Sequence, residues 1–183
     1  SSRQRQARCR SINGACRMKH LILGGARSGK SRHAEALAIA SGRPLLYVAT
    51  SQALDEEMSA RIKIHQQRRG SSWKLIEEPL QLAKSLLEHS AADSCLLVDC
   101  LTLWVSNCLI EECWEQERYA LFECIDDLPG ELLLVSNEVG QGIVPMGELS
   151  RRFVDESGRL HQELAQRCDK VTMLVAGLPQ QLK

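Results

Sequence analysis

Gly24-Gly25-Ala26-Arg27-Ser28-Gly29-Lys30-Ser31 matches G-x-x-x-x-G-K-[ST], the phosphate-cradling loop, at every fixed position. The apolar run His20-Leu21-Ile22-Leu23 precedes it, and a helical pattern over residues 32–40 follows it. That strand–loop–helix setting is the one the motif requires. Gly24, Gly25 and Gly29 let the backbone turn tightly, so that the N–H groups of the loop, those of Ala26 and Ser28 included, aim at phosphate oxygens. The helix beginning near Lys30 adds its positive dipole end. Lys30 reaches the β/γ-phosphates, and the Ser31 hydroxyl is placed to hold Mg²⁺. Arg27 reads equally as a phosphate contact or an exposed side chain.

Composition narrows the field. At 183 residues the chain is long enough for one domain with a proper core. Its 23 basic and 23 acidic residues balance, which argues against a general nucleic-acid or membrane-surface binder. No apolar run has the ~18 residues of a membrane span. The eight cysteines form no C-x-x-C and no paired Cys/His zinc spacing, so they read as reduced thiols of a cytoplasmic protein. Residues 1–17 carry five arginines and no acid, and look foreign to the domain. They suit a disordered tail or upstream start better than a transit peptide, which would be amphipathic. Met18 is a plausible start, and residues 18–183 form the domain.

Strands and helices then alternate. Strands are expected over 19–23, 45–49, 73–76, 94–99, 131–136 and 170–176. Helices are expected over 30–41, from 55 to about 70, and over 80–87, 101–112, 115–128 and 148–168. Gly177-Leu178-Pro179 is expected to end the fold. This is an α/β chain with a mostly parallel sheet flanked by helices. Ligands of such sheets lie beyond the carboxyl ends of the strands. Ala49, Thr50 and Ser51, Glu77, and Asp99 all lie there. Asp99 ends an apolar strand, as does the acidic partner of a phosphate loop that helps hold Mg²⁺. Glu77 and Asp99 are alternative partners for Mg²⁺, ribose or base. Trp104, Cys108, Trp114 and Phe122 are read as packing or subunit interface rather than a site.

Several segments together resemble one family. They are the loop through Arg32, Tyr47-Val-Ala-Thr-Ser-Gln52, Glu57-Met58 with Arg61-Ile62 and His65, Asp99-Cys-Leu-Thr102 with Asn107, and Ser136-Asn-Glu-Val-Gly-Gln-Gly-Ile-Val-Pro145. The chain from about residue 19 to its end is similar to the bifunctional adenosylcobinamide kinase / adenosylcobinamide-phosphate guanylyltransferases. The resemblance implies a RecA-like P-loop fold, a homotrimer, and two reactions. The first phosphorylates the aminopropanol hydroxyl of adenosylcobinamide from ATP or GTP. The second moves GMP from GTP onto that phosphate through a guanylylated histidine, releasing pyrophosphate. His65 matches that histidine. Gln66, Gln67, Arg68 and Arg69 join it as nucleotide-site candidates by position, and the 137–145 loop is assigned to the corrinoid or phosphate-acceptor pocket.

The residue chemistry stands beside this. A neutral imidazole is a competent nucleophile near pH 7, and attack on the α-phosphorus splits one hard transfer into two easier ones. Lys30 and Mg²⁺ stabilise the departing pyrophosphate. His20, His33, His89 and His161 rank below His65. Two other readings stay open: a monofunctional P-loop small-molecule kinase in which His65 is only a helix residue, and a RecA-like nucleic-acid-dependent ATPase. The neutral charge weighs against the latter.

Overall fold

The structure is a computed structural model in which residues 17–51 and 73–183 are described. Their strands are β1 (Arg17–Gly24), β2 (Leu45–Ala49), β3 (Lys74–Glu77), β4 (Cys95–Asp99), β5 (Gly130–Asn137), β6 (Lys170–Val175) and β7 (Leu178–Gln181). Their helices are α1 (Lys30–Ala40), α2 (Leu82–His89), α3 (Leu101–Ile110), α4 (Trp114–Cys124) and α5 (Glu148–Arg167). The strands make one sheet in the order β3-β2-β4-β5-β1-β6-β7, parallel except for β7. Arg17, expected in the leader, pairs with Gly130 as the first residue of β1.

The central strands are apolar throughout because both faces are covered, and their side chains alternate between two cores. Leu21, Leu23, Leu96, Val98, Leu132 and Leu134 face one core, where α2, α3, α4 and α5 contribute Leu86, Trp104, Trp114 and Leu160. Ile22, Tyr47, Leu97, Leu133 and Val135 face the other, against Ala34 and Ala38 of α1. Those two alanines sit one turn apart and let α1 approach the sheet closely. Trp104 and Trp114 meet edge to face at 5.2 Å, fully buried. Their indole N–H groups donate to Leu80 O at 2.7 Å and to Glu156 Oε2 at 2.8 Å. Phe122 lies partly buried under the guanidinium groups of Arg118 and Arg167. The tryptophans therefore act as packing.

The expected end of the fold is a hairpin instead. Ala176 and Gly177, at φ 51 and 78, make a two-residue turn from β6 into β7. Positive φ at both central residues is the signature of the turn that matches strand twist. β7 is exposed along its whole length, so it carries no alternation of apolar and polar residues. Its Pro179 also argued against a strand, yet an edge strand tolerates proline.

Gly130 opens β5, the strand that carries much of the site. It has φ +80, and a Cβ there would lie 2.2 Å from Ala91 O and 2.7 Å from Ser94 O, both backbone atoms. Gly130→Ala is expected to lower stability by roughly 2–4 kcal/mol, read as a shift in the urea midpoint at unchanged m-value.

Candidate functional site

The phosphate loop leaves β1 at its carboxyl end and turns into α1 through Gly29, which has φ 90. No side chain caps α1, so its first N–H groups remain available to an anion. Lys30 is buried, and its Nζ donates to Gly25 O at 3.2 Å, which holds the ammonium over the loop. Ser28 N donates to Gly25 O at 3.3 Å and His33 N to Gly29 O at 2.9 Å. Ala26 and Arg27 are exposed, Arg27 at φ 54. Gly24 has no room for a side chain, because a Cβ would lie 2.4 Å from Ser28 Oγ and 2.9 Å from Leu174 O. The β6–β7 turn closes the back of the loop. Gly177 N donates to Ser28 O at 2.8 Å, and a Cβ on Gly29 would meet Gly177 Cα at 3.2 Å.

Strand register fixes what stands beside the loop. Glu77, Ala49, Asp99, Val135 and Ile22 lie in one row across β3, β2, β4, β5 and β1. With strands ~4.8 Å apart, Asp99 is about 10 Å from β1 and Glu77 about 19 Å. The geometry thus separates two candidates that the sequence treats as equivalent. Asp99 stands two strands from the loop-bearing β1, whereas Glu77, exposed on the outermost parallel strand of that flank, stands four away. The Tyr47 hydroxyl donates to Asp99 Oδ2 at 2.8 Å. Burial, then the Asp99 charge, holds that phenol far above its ordinary pKa, so it remains a donor.

Ala49 and Thr50 are buried, and Ser51 is half-buried. The Thr50 hydroxyl donates to Cys100 O at 2.8 Å and accepts from Cys100 N at 3.0 Å. Asn107, one of the residues carrying the family resemblance, donates through Nδ2 to Thr50 O at 2.9 Å and to Pro79 O at 3.1 Å. Thr50 and Asn107 therefore tie the ends of β2 and β4 to the chain after β3. The Thr50 hydroxyl and the Asn107 amide N–H groups brace the Asp99 end of the sheet in this way.

On the other flank, Asn137 pairs with Gly24, and Glu138 N donates to Gly24 O at 3.0 Å. Two buried polar atoms on this rim, Ser28 Oγ and Asn137 Oδ1, have no hydrogen-bond partner among the described residues. A buried polar atom left without a partner costs about 1–3 kcal/mol. The sequence reading missed His161. Its Nε2 lies 2.7 Å from Ser136 Oγ, and its Nδ1 lies 4.0 Å from Glu138 Oε2. Burial pushes its pKa below the ordinary value, opposed in part by Glu138. The available signal was the spacing Ser136/Glu138, two polar residues on one face at the end of a buried strand.

His65 and Gln66, Gln67, Arg68 and Arg69 lie outside the described residues, as does the helix expected from residue 55. The remaining histidines have structural partners or positions. His20 is buried, bonded to Thr172 Oγ1 at 2.8 Å, with its pKa pushed down to about 4, chiefly by burial. His89 Nδ1 lies 2.8 Å from Ser85 O. His33 is half-buried in the first turns of α1. The six described cysteines are free thiols. Among the described residues no helix is long and apolar enough to cross a membrane, and no group of three or more His, Cys, Asp or Glu forms a metal cluster.

A glycine-rich loop at the carboxyl edge of a parallel sheet, feeding an uncapped helix, with an acid ending a strand two places away, defines a P-loop nucleotide-binding protein. The solved structures it resembles agree on this fold. The flagellar accessory protein FlaH of Methanocaldococcus jannaschii superposes with a TM-score of 0.54 at 14% identity, over 91% of this chain and 78% of that one. A prototypical ATPase from a bacterial type III secretion system gives 0.50 at 10%, over 90% and 56%. The architecture is therefore RecA-like. Within that class the chain belongs to the cobinamide kinase / cobinamide phosphate guanyltransferase family, whose model matches residues 20–182. It is 57% identical over 169 residues to the bifunctional adenosylcobalamin biosynthesis protein CobP of Pseudomonas aeruginosa, covering 91% of this chain and 98% of that protein. It is 42% identical to the CobU protein of Salmonella typhimurium, covering 91% and 100%.

Proposed function

We propose that this protein phosphorylates adenosylcobinamide from ATP or GTP, and then transfers GMP from GTP to adenosylcobinamide-phosphate through a guanylylated His65. The observation that supports the nucleotide half is the loop itself, which feeds the uncapped N-terminus of α1 and holds the Lys30 ammonium against Gly25 O. Family membership carries the corrinoid half. It also supports a homotrimer acting in the cytoplasm.

Phosphoryl transfer needs positioning and charge stabilisation rather than covalent chemistry from the protein. The loop N–H groups and Lys30 hold the triphosphate, and Lys30 meets charge that builds on the leaving oxygen. The donor set suits Mg²⁺, a hard cation that takes oxygen ligands and keeps its waters. The Ser31 hydroxyl and the Asp99 carboxylate are the residues that would hold it, and when bound it neutralises phosphate charge. In the second reaction the His65 imidazole displaces pyrophosphate from the α-phosphorus, and the phosphate of the corrinoid then takes the GMP from His65.

Incubating the protein with GTP labelled at the α-phosphate, with Mg²⁺ present, is expected to leave covalent label that is lost in acid and kept in base, as a phosphoramidate requires. Absence of label would leave the monofunctional kinase as the better reading.

A further inference from the structure

One carboxylate beside the phosphate loop has no part in the chemistry above. Glu138 follows β5, the strand next to β1, and its N–H is bonded to Gly24 O at 3.0 Å. It lines a cleft of ≈ 690 Å³ together with Gly25, Arg27, Ser28, Gln141 and Ala176. Its carboxylate is held by one backbone N–H and lies near one imidazole. Gly140 N donates to Oε1 at 2.7 Å, and Oε2 faces His161 Nδ1 at 4.0 Å. The imidazole is itself fixed from behind by Ser136 Oγ at 2.7 Å. The Glu138 side chain still keeps 22% of its surface exposed, so it is oriented yet reachable. The other two acids considered for the site differ. Asp99 is tied to Tyr47 and stands two strands from β1, while Glu77 stands four strands away.

We propose that Glu138 accepts the proton of the acceptor hydroxyl during phosphoryl transfer, in the cleft it shares with the phosphate loop. The proposal rests on the kinase half of the proposed function. In the step, the hydroxyl O–H bond breaks and its proton passes to a Glu138 carboxylate oxygen. The hydroxyl oxygen forms a bond to the γ-phosphorus. The bond from that phosphorus to the β,γ-bridging oxygen breaks, and its electron pair leaves on the nucleoside diphosphate. The Gly140 N–H orients the carboxylate, and the buried His161 imidazole lies 4.0 Å from its other oxygen.

A positioned base contributes about 10²–10⁴-fold to such a transfer. Steady-state phosphorylation of cobinamide by the full chain tests the assignment. Glu138→Gln keeps the shape and the Gly140 contact but cannot take the proton. Its kcat is expected to fall by about 100-fold or more, with KM for cobinamide and calorimetric Kd for the nucleotide changed by less than about 3-fold. Glu138→Asp keeps the base on a shorter stem and is expected to recover part of the loss. A Glu138→Gln kcat within about 5-fold of the parent enzyme would overturn the assignment. So would loss of nucleotide binding in parallel with kcat, which would make Glu138 a support for the loop. If the unaltered protein fails to phosphorylate cobinamide at all, the kinase reading falls and takes the Glu138 role with it.

Discussion

Replacing His65 with alanine is expected to abolish covalent labelling by α-labelled GTP and to lower GMP transfer by at least ~10³-fold, while phosphorylation of cobinamide continues. The two reactions differ in what they ask of the protein. Phosphoryl transfer to an alcohol proceeds directly from a held triphosphate and requires no protein nucleophile. Transfer of GMP by way of an imidazole requires that imidazole. Alanine offers no lone pair to the α-phosphorus, so the covalent route closes while the phosphate loop keeps its residues. The measurement is the ratio of the two activities in one preparation, with label stoichiometry alongside. Label that persists in the alanine variant would place the nucleophile elsewhere, and His161, already bonded to Ser136, is poorly placed to be it. Equal loss of both activities would assign His65 to nucleotide binding.

Lys30→Ala has the opposite pattern: both reactions are expected to fall together, each by roughly 10²–10³ in kcat/KM. Lys30 is buried and its ammonium is fixed over the loop by Gly25 O, so little reorganisation is needed when charge develops on a departing phosphate. That charge appears on the nucleoside diphosphate in one reaction and on pyrophosphate in the other. Removing one preorganised donor costs about 2.7–4 kcal/mol of transition-state stabilisation. Parallel assays with ATP and cobinamide, and with GTP and cobinamide phosphate, check it. Selective loss of one reaction would mean that the two transfers do not share this loop.

The phosphate loop and the alternation of strands and helices were legible because each rests on local chemistry. Gly29 must adopt φ 90, and runs such as Leu96-Leu97-Val98 must be apolar on both faces. β7 was not legible, since its residues are exposed and Pro179 reads as a stop. Nor was the roster of groups around the loop. Asp99 and Glu77 look alike in sequence, and only strand order separates them. His161 looked like one more helix residue because Ser136 and Glu138, which lie near its ring, are brought to it only by tertiary packing. The Thr50 hydroxyl is bonded to both the O and the N of the Cys100 peptide, a pairing across two strands that nothing local in the sequence announces.

The bond from Gly177 N to Ser28 O joins two segments that lie near opposite ends of the described chain. It is a contact of long sequence separation, made possible because β6 pairs directly with β1. The phosphate loop is thus braced by the β6–β7 hairpin, itself anchored where Lys183 Nζ gathers the carbonyls of Ala165, Gln166 and Cys168 at the end of α5. A chain without this hairpin would carry the full G-x-x-x-x-G-K-S motif yet lack the backbone bond that braces it at Ser28.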